Sequence, residues 1–300
     1  IVAFQIKRFC EKNGVTHLHA HDSPAHTFAF LAASFFGLAL PLIVHRRVDF
    51  PIAKSLLSSW KYNSTAVSRI ICVSDFIRQL IEPDIQQASK LVTVHSGIDL
   101  QRFEQAGKWL KTNFLRSEYH VPPHHFLIAN IAAIAPHKDY FTFVKTAEKL
   151  IQDGFPATFL AIGGDGGELA QIRQFIKEKK LEDRIILTGF RSDLEQVLPE
   201  IDLLLFTSKT EGLGTSLLDA FACGVPVVAT NAGGIPEIVE AGVTGLVCEV
   251  GDAACLAMAV QKLLTDNDLR NKLVENAKRR VPYFSKAEMA AAILEIYRQT

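Results

Sequence analysis

The chain contains the stretch Glu211-Gly212-Leu213-Gly214-Thr215-Ser216-Leu217-Leu218-Asp219, in which a glycine-rich turn separates two carboxylates. A short apolar run at 201–206 precedes it and predicts a buried strand. After it, Gly224 predicts a helix end and residues 225–229 predict a further strand. Strand, glycine turn and helix N-terminus together form a phosphate cradle, because free N–H groups and the helix dipole point the same way. An anion site with a carboxylate on each side is suited to a nucleotide sugar.

The same alternation of short apolar runs and amphipathic stretches continues along the chain, which is typical of an α/β fold with parallel sheets. Four predicted strands precede the polar stretch 101–123 and six follow it. They are Thr16–Ala20, Leu42–His45, Arg69–Val73, Leu91–Val94, Phe126–Ala132, Thr158–Ile162, Arg184–Leu187, Asp202–Phe206, Val225–Ala229 and Gly245–Cys248. The polar stretch carries Pro122-Pro123, so we predict two domains, 1–115 and 116–284, and a final amphipathic helix at 285–300.

The composition is that of a globular protein, with 300 residues, 48% of them hydrophobic, and a formal net charge of zero. Balanced charge argues against a dedicated nucleic-acid-binding protein, which usually carries a basic excess. The five cysteines have no paired spacing, and we interpret them as free thiols in a reducing compartment. Gly37 and Pro41 interrupt the apolar stretch 28–44, which predicts a buried helix and a strand rather than a membrane span. Residue 1 already belongs to a helical pattern, so we expect no signal peptide.

Further motifs follow one another in a family-specific order. They are Ile70-Ile71-Cys72-Val73-Ser74, Val94-His95-Ser96-Gly97-Ile98-Asp99 with Phe103, Pro136-His137-Lys138-Asp139, Gly163-Gly164-Asp165-Gly166, the stretch 211–219, Ala232-Gly233-Gly234-Ile235-Pro236-Glu237 and Gly242-Val243-Thr244-Gly245-Leu246. With these motifs the chain resembles glycosyltransferase family 4, whose members are retaining, metal-independent enzymes of the GT-B fold.

The resemblance implies two Rossmann-like domains that face each other across a cleft, with the acceptor side on the first and the nucleotide sugar on the second. It also implies that the helix 285–300 packs back on the first domain; the alternative is that it covers its own domain. Four strands are fewer than the six or so of a doubly wound domain. We therefore interpret the first domain as truncated, without the family's N-terminal glycine-rich loop, which leaves open whether this chain is catalytically competent.

The resemblance also assigns the catalytic residues, which we predict to be Glu211, His45 and Lys138. Glu211 is implied to face the donor sugar and to stabilise an oxocarbenium-like state. Lys138 is implied to pair with the diphosphate leaving group; the arginine usual five residues earlier is Ala133 here. His45, at the end of a first-domain strand, matches a histidine that contacts the donor sugar. Taken without the motifs, Glu211 and Lys138 are solvated charges and His45 is structural.

Donor binding is predicted for the cradle and for loops that follow neighbouring strands. Asp219 is implied to reach the ribose hydroxyls, although Ser216-x-x-Asp219 also fits a capping box that satisfies the helix itself. The glycine run 163–168 departs from GxGxxG at Leu169, and we expect the backbone of 189–191 to edge the base. The predicted donor-binding residues are Lys138, Gly164, Phe190, Arg191, Glu211, Gly212, Leu213, Gly214, Thr215, Ser216 and Asp219.

Three histidines, His17, His19 and His21, alternate along one predicted strand and therefore share a face, as metal ligands can. The resemblance implies a similar motif without a metal, and no further Cys/His cluster completes a ligand set. We therefore expect no metal and no cofactor. A metallohydrolase centred on this cluster is the remaining metal-dependent alternative.

Together, these observations predict a retaining, metal-independent glycosyltransferase that uses a UDP- or GDP-linked sugar in polysaccharide, lipopolysaccharide or glycolipid synthesis. The alternatives are a chain that binds the nucleotide sugar without turnover, and a GT-B epimerase. The expected acceptor is a glycan or lipid-linked molecule, and no nucleic-acid partner is expected. We expect a cytoplasmic protein. Peripheral association with the inner membrane face stays open, because Arg46, Arg47, Lys54 and Lys61 are basic but fall short of a polybasic patch.

Overall fold

The computed structural model describes residues 1–52, 55–103 and 112–300, which separate into two compact units; Lys54 lies outside these ranges. Unit 1 contains Ile1–Gly97 and Ala287–Thr300, and unit 2 contains Ile98–Lys286. The division falls before Ile98 rather than at the predicted 115/116, because the chain already packs on unit 2 there. The Ile98 N–H donates to the Phe284 carbonyl at 2.9 Å, and Arg102 pairs with Glu195 at 2.7 Å.

Unit 1 is built on a parallel sheet of four strands in the order β1-β2-β3-β4. The helices in this part of the unit lie between the strands in sequence, as parallel connections require. The elements are α1 (Val2–Asn13), β1 (Leu18–Ala20), α2 (Ser23–Phe36), β2 (Leu42–Arg46), α3 (Leu56–Asn63), β3 (Val67–Cys72), α4 (Asp75–Ile81) and β4 (Leu91–Thr93). All five residues of β2 are buried, which explains its continuous apolar run up to His45.

Unit 2 is a doubly wound domain with a parallel sheet of six strands in the order β10-β9-β8-β5-β6-β7. The order reverses between β5 and β8, which is the topological switch point. Its elements are α5 (Leu100–Phe103), α6 (Phe114–Glu118), β5 (Phe126–Ile131), α7 (Tyr140–Gln152), β6 (Ala157–Ile162), α8 (Leu169–Glu178), β7 (Ile185–Gly189), α9 (Leu194–Val197), β8 (Leu203–Phe206), α10 (Thr215–Ala222), β9 (Val227–Thr230), α11 (Ile235–Ile238), β10 (Leu246–Cys248), α12 (Ala253–Thr265) and α13 (Asn267–Arg280). All ten predicted strands are confirmed, with ends that differ by at most two residues.

The last helix, α14 (Lys286–Arg298), packs within unit 1 rather than on the unit that precedes it in sequence. Ile296 is buried with Ile43 of β2, Ile71 of β3 and Val94, which follows β4, and three further α14 residues pack against this cluster. An amphipathic helix is stabilised mainly by such burial of its apolar face. The C-terminal residues therefore contribute to the core of the first unit.

Replacement of Ile296 with Ala is expected to lower the free energy of unfolding of unit 1 by about 2–4 kcal/mol, because it removes a buried side chain and leaves a cavity. Leu294→Ala on the same helix is the control, since Leu294 is 53% exposed. Urea denaturation of both variants measures the difference. Equal stabilities would mean that α14 does not contribute to this core.

The interpretation of five free thiols is wrong for two cysteines. Cys248 and Cys255 form a disulfide with a Cα–Cα distance of 5.9 Å, while Cys10, Cys72 and Cys223 are free. Cys248 ends β10 and Cys255 lies in the first turn of α12. The short connection between these elements therefore brings the two cysteines close together. A spacing of seven residues carries no local signal for this contact.

The apolar stretch 28–44 forms the end of α2 and the start of β2, as predicted. Gly37 ends α2 in the left-handed conformation, with φ of 67°. No helix among the described residues has the length and hydropathy needed to cross a membrane.

Candidate active site

The switch point of the unit 2 sheet brings two predicted catalytic residues together. In doubly wound sheets, ligands bind outside the carboxyl ends of the strands at this point. Lys138 follows β5 and Glu211 follows β8, and the Lys138 ammonium donates to the Glu211 carboxylate although 73 positions separate them in sequence. Both side chains are largely buried, with exposures of 15% and 13%. The pair therefore sets a cation and a carboxylate in the part of the fold where a ligand is expected.

Side chains that the sequence analysis missed hold the two loops in place. Ser208 Oγ donates to the Glu211 carboxylate at 3.3 Å. Thr207 Oγ1 lies 3.1 Å from the carbonyl oxygen of Lys138 and receives a hydrogen bond from Asn130 Nδ2 at 3.2 Å. Thr207 and Ser208 directly follow β8, and this position at a strand end was the signal that could have found them.

Two glycines that were not predicted as site residues allow the loops to approach closely. A Cβ on Gly233 would lie 2.1 Å from the carbonyl oxygen of Glu211, and the N–H of Gly234 donates to the same oxygen at 2.9 Å. A Cβ on Gly163 would lie 1.8 Å from the carbonyl oxygen of Ala132, at the end of β5. The glycine motifs at 163 and 233 are therefore required by backbone packing next to the site.

The predicted cradle has an uncapped helix N-terminus. Gly214 is the N-cap of α10 with φ of 87°, and no side chain caps the helix. The first N–H groups of a helix have no intrahelical acceptor, so they are available to an anion. Around them, Leu213 is buried, Gly212 and Ser216 are half-buried, and Thr215 is exposed.

The capping-box interpretation of Ser216 and Asp219 is wrong, because the helix begins one residue before Ser216 and Asp219 is its fifth residue. The Asp219 carboxylate has no hydrogen-bond partner among the residues that the structure describes. Burial raises the pKa of Asp219 to about 6, and Arg102 partly opposes this effect. An acceptor held largely out of water without a partner is suited to a ligand hydroxyl.

Replacement of Asp219 with Asn is expected to raise the free energy of unfolding at pH 7.5 by about 1–3 kcal/mol while weakening nucleotide binding. A carboxyl whose pKa rises on folding stabilises the fold only while it is protonated; that contribution is lost as the pH rises through 6. The gain should therefore be smaller at pH 4.5.

Urea denaturation at pH 7.5 and pH 4.5 measures this difference. Asp183→Asn is the matched control, because Asp183 is exposed, and a change within about 0.5 kcal/mol is expected there. Loss of stability in Asp219→Asn at pH 7.5 would show that the carboxylate supports the fold instead.

The predicted base-edge residues take different positions. Phe190 is 80% exposed, and a Cβ on Gly164 would meet it at an ordinary 3.7 Å. The Arg191 guanidinium donates to Asp193 at 2.7 Å and to Glu118 at 2.7 Å, and the bonds to its partners raise its pKa. Since its donors are engaged within the protein, only the Arg191 backbone is available to a ligand, whereas the Phe190 ring is free to stack.

His45 belongs to unit 1, so unit 2 assembles the other predicted site residues without it. It is the fourth residue of the buried strand β2, with an exposure of 5%, and neither ring nitrogen has a hydrogen-bond partner in the described chain. Burial lowers the pKa of His45 to about 3, and His19 and Arg47 add to this effect. The imidazole is therefore neutral at physiological pH.

The predicted histidine face is assembled only in part. His19 and His21 stack with ring centroids 4.1 Å apart, and His45 joins them 5.4 Å from His19. One nitrogen of each lies within 4.8 Å of the others, so these three could hold a metal ion. His17 instead stacks on Tyr297, whose hydroxyl also lies 2.5 Å from His19 Nδ1.

Comparison with known proteins is consistent with this architecture. Residues 112–280 match the family described as glycosyl transferases group 1, and residues 1–102 match glycosyltransferase family 4. The chain belongs to the group 1 glycosyltransferases and is a glycosyltransferase of the GT-B fold. The predicted truncation of the first domain stays a prediction.

Similar curated proteins are enzymes that transfer sugars. N-acetyl-alpha-D-glucosaminyl L-malate synthase of Bacillus anthracis is 27% identical over 93% of this chain and 73% of its own length. A UDP-Gal:alpha-D-GlcNAc-diphosphoundecaprenol alpha-1,3-galactosyltransferase of Escherichia coli is 22% identical over 88% of this chain and 70% of its own length.

Solved structures share the fold. A glycosyltransferase from Rickettsia africae has a TM-score of 0.87 at 24% identity, covering 99% of this chain and 80% of that one. HepE of Anabaena, solved in complex with UDP-glucose, has a TM-score of 0.87 at 21% identity, covering 99% of this chain and 82% of that one.

Proposed function

We propose that this chain is a retaining, metal-independent glycosyltransferase that moves a sugar from a UDP- or GDP-linked donor to an acceptor hydroxyl. The observation that carries the proposal is the Lys138–Glu211 pair at the switch point of unit 2. The pair supplies a cation for a diphosphate and a carboxylate for a sugar. The uncapped N-terminus of α10 follows Glu211 after only three residues and supplies N–H donors to the same anion.

The chemistry breaks the bond between the sugar C1 and the β-phosphate oxygen, and the nucleoside diphosphate leaves with the electron pair. The Lys138 ammonium leaves the Glu211 carboxylate, pairs with the diphosphate and stabilises the negative charge that develops on the diphosphate. Glu211 stabilises the oxocarbenium-like sugar, and Asp219 accepts hydrogen bonds from the ribose. The acceptor oxygen bonds to C1 on the face that the phosphate leaves and passes its proton to the departing phosphate oxygen, which retains the configuration.

We keep His45 of unit 1 in the proposed catalytic set, because the resemblance assigns it to the donor sugar. Its ring is neutral and its nitrogens have no partner in the described residues. One nitrogen can therefore accept a hydrogen bond from a sugar hydroxyl while the other donates one. The proposal needs no metal, because Lys138 and the helix N–H groups provide the positive charge that the diphosphate requires.

Relatives support the classes of donor and acceptor. The name of the Escherichia coli relative includes UDP-linked galactose and a diphosphoundecaprenol acceptor. The name of the Bacillus anthracis relative includes an N-acetylglucosaminyl group and L-malate. We propose a corresponding role here in polysaccharide, lipopolysaccharide or glycolipid synthesis, in the cytoplasm or at the inner membrane face.

Calorimetric titration with UDP, GDP, ADP and CMP in the presence of a chelator tests the donor site. We expect one diphosphate to bind without metal, and binding to weaken in Glu211→Ala only when the sugar is attached, since Glu211 is assigned to the sugar. Absence of binding by all four nucleotides would overturn the proposal. Binding without sugar transfer to any acceptor would identify a binding protein without turnover, and release of free sugar would indicate the epimerase.

A further inference from the structure

Unit 1 contains a pocket of about 250 Å³, and His45 is the one residue of its described lining that we assign to the donor. It opens where β1 and β2 end, and its lining includes His21, Asp22, His45, Arg46, Arg47 and Lys61. In parallel sheets the carboxyl ends of the strands form the ligand-binding edge. Since His45 belongs to this lining, the pocket is next to the residue that we assign to the donor sugar.

Two cations in this pocket are buried without a carboxylate partner among the described residues. Arg46 is 7% exposed and Lys61 is 6% exposed. Arg46 donates to the Tyr62 hydroxyl at 3.1 Å and to the Phe50 carbonyl, and its Nε has no acceptor. The partners of Arg46 among the described residues are therefore neutral.

Lys61 has the same kind of surroundings. Its ammonium donates to Ser23 Oγ at 3.1 Å and to Thr27 Oγ1 at 3.2 Å, which are both uncharged. Burial lowers the pKa of Lys61, and the charge of Arg46 lowers it further. Buried lysine and arginine side chains are normally paired with an anion, because an unpaired charge out of water is costly.

The other charged residues of the described lining do not neutralise the pair. Arg47 adds a third cation at an exposed position of the lining. Asp22 is the one carboxylate in the described lining, and it caps α2 by accepting a hydrogen bond from the Ala25 N–H at 2.7 Å. The pocket thus holds three cations against one carboxylate that is already engaged.

We propose that this pocket binds an oxyanion, either a carboxylate or a phosphate, on the acceptor, so that the enzyme glycosylates a hydroxyl of an anionic molecule. The inference rests on the proposed transferase function and names the class of its acceptor. The Arg46 Nε–H, which has no acceptor among the described residues, is the donor that we assign to the anion, and Lys61 and Arg47 supply further charge. A purely structural role for Arg46 and Lys61 would affect stability but would not create affinity for anions.

The test compares three probes with the same three-carbon skeleton: glycerol, which is neutral, D-glycerate, a carboxylate, and glycerol 3-phosphate. They are titrated calorimetrically at constant ionic strength into the Lys138→Met variant, in which the cation of the donor site is absent. We expect at least one anion to bind about tenfold or more tightly than glycerol, because hydrogen bonds to charged groups are the stronger ones. Which anion binds better distinguishes a carboxylate acceptor from a phosphate acceptor.

Variants in the same background assign the binding to the pocket. Arg46→Gln is expected to weaken anion binding about tenfold or more, and Arg47→Gln about threefold. Lys90→Gln, a cation of unit 1 outside this pocket, should leave it unchanged. Arg47 is exposed, so its variant decides the question if Arg46→Gln fails to fold.

Equal binding of all three probes, or anion affinity that is unchanged in folded Arg46→Gln and Arg47→Gln, would overturn the inference. Binding of UDP and of GDP by the unsubstituted chain is measured in parallel. If either diphosphate binds and the anions do not, the acceptor assignment falls and the donor function stands. If neither diphosphate binds, the donor function falls whatever the anions do.

Discussion

Replacement of Lys138 with Met is expected to lower kcat/KM by about a hundredfold or more, because a positioned charge that stabilises a leaving group typically contributes 10²–10³ in rate. The substitution preserves most of the side-chain volume but removes the ammonium that contacts Glu211. It has two consequences: the diphosphate loses its cation, and a carboxylate that is 13% exposed loses its counter-ion. Steady-state kinetics with the best-binding nucleotide sugar measures the effect, and calorimetry with the free diphosphate separates binding from chemistry.

Lys209→Met is the matched control for this experiment. Lys209 lies in the loop that carries Glu211 and pairs with Asp139 at 3.4 Å, but its side chain is 51% exposed. We expect a change of less than about threefold, since the Lys209 side chain is half-exposed and the buried Asp139 carboxylate keeps its hydrogen bonds from Thr142. Similar losses in both variants would mean that the general positive charge of the loop matters rather than Lys138, and unchanged activity in Lys138→Met would remove the lysine from the mechanism.

Replacement of Gly233 with Ala is expected to cost about 2–4 kcal/mol of stability and to lower activity by at least about tenfold, because steric overlap and backbone strain act together. The added Cβ would lie 2.1 Å from the carbonyl oxygen and 2.9 Å from the amide nitrogen of Glu211. Backbone atoms cannot rotate away as a flexible side chain can, so the segment that carries Glu211 must move. Thermal unfolding and kcat/KM measure the two effects.

Gly242→Ala isolates the part of this cost that comes from φ alone. Gly242 has φ of 73° and nothing within 4 Å of an added Cβ, whereas Gly233 has φ of 55° and the Glu211 backbone beside it. The control should lose about 1–2 kcal/mol from the left-handed conformation and keep its activity. Equal losses of stability and activity in the two variants would show that the contact with Glu211 is unimportant.

Much of the fold could be predicted from local pattern. Strand positions were recovered because a strand buried in a parallel sheet needs a continuous apolar run, and such runs are visible within a few residues, as at 126–131 and 157–162. The glycine-rich turn before α10 is also predicted from local pattern, because Gly214 adopts a φ of 87° that other residues avoid. The resemblance to a family then connected the motifs to donor chemistry.

The structure differs from the sequence-based predictions where a contact joins residues whose proximity no local sequence pattern indicates. Ser216 and Asp219 fit a capping box by spacing, but the start of α10 at Thr215 excludes it. Cys248 and Cys255 look unrelated in sequence because their proximity depends on how the chain turns between β10 and α12.

By itself, then, the amino-acid sequence determined the α/β class, the ten strands and the glycine-rich turn before α10. These depend on neighbours in the chain, through apolar periodicity and glycine dihedral angles. The donor-site residues stay predictions that the family resemblance supplied. Only the tertiary structure decided that Lys138 meets Glu211, that Gly233 must lack a Cβ, and that Arg46 and Lys61 are buried without a carboxylate. Such facts depend on the distances between segments that are far apart in sequence and on how those segments exclude water. The order of strands in the sheets sets these distances, and local sequence pattern does not encode them.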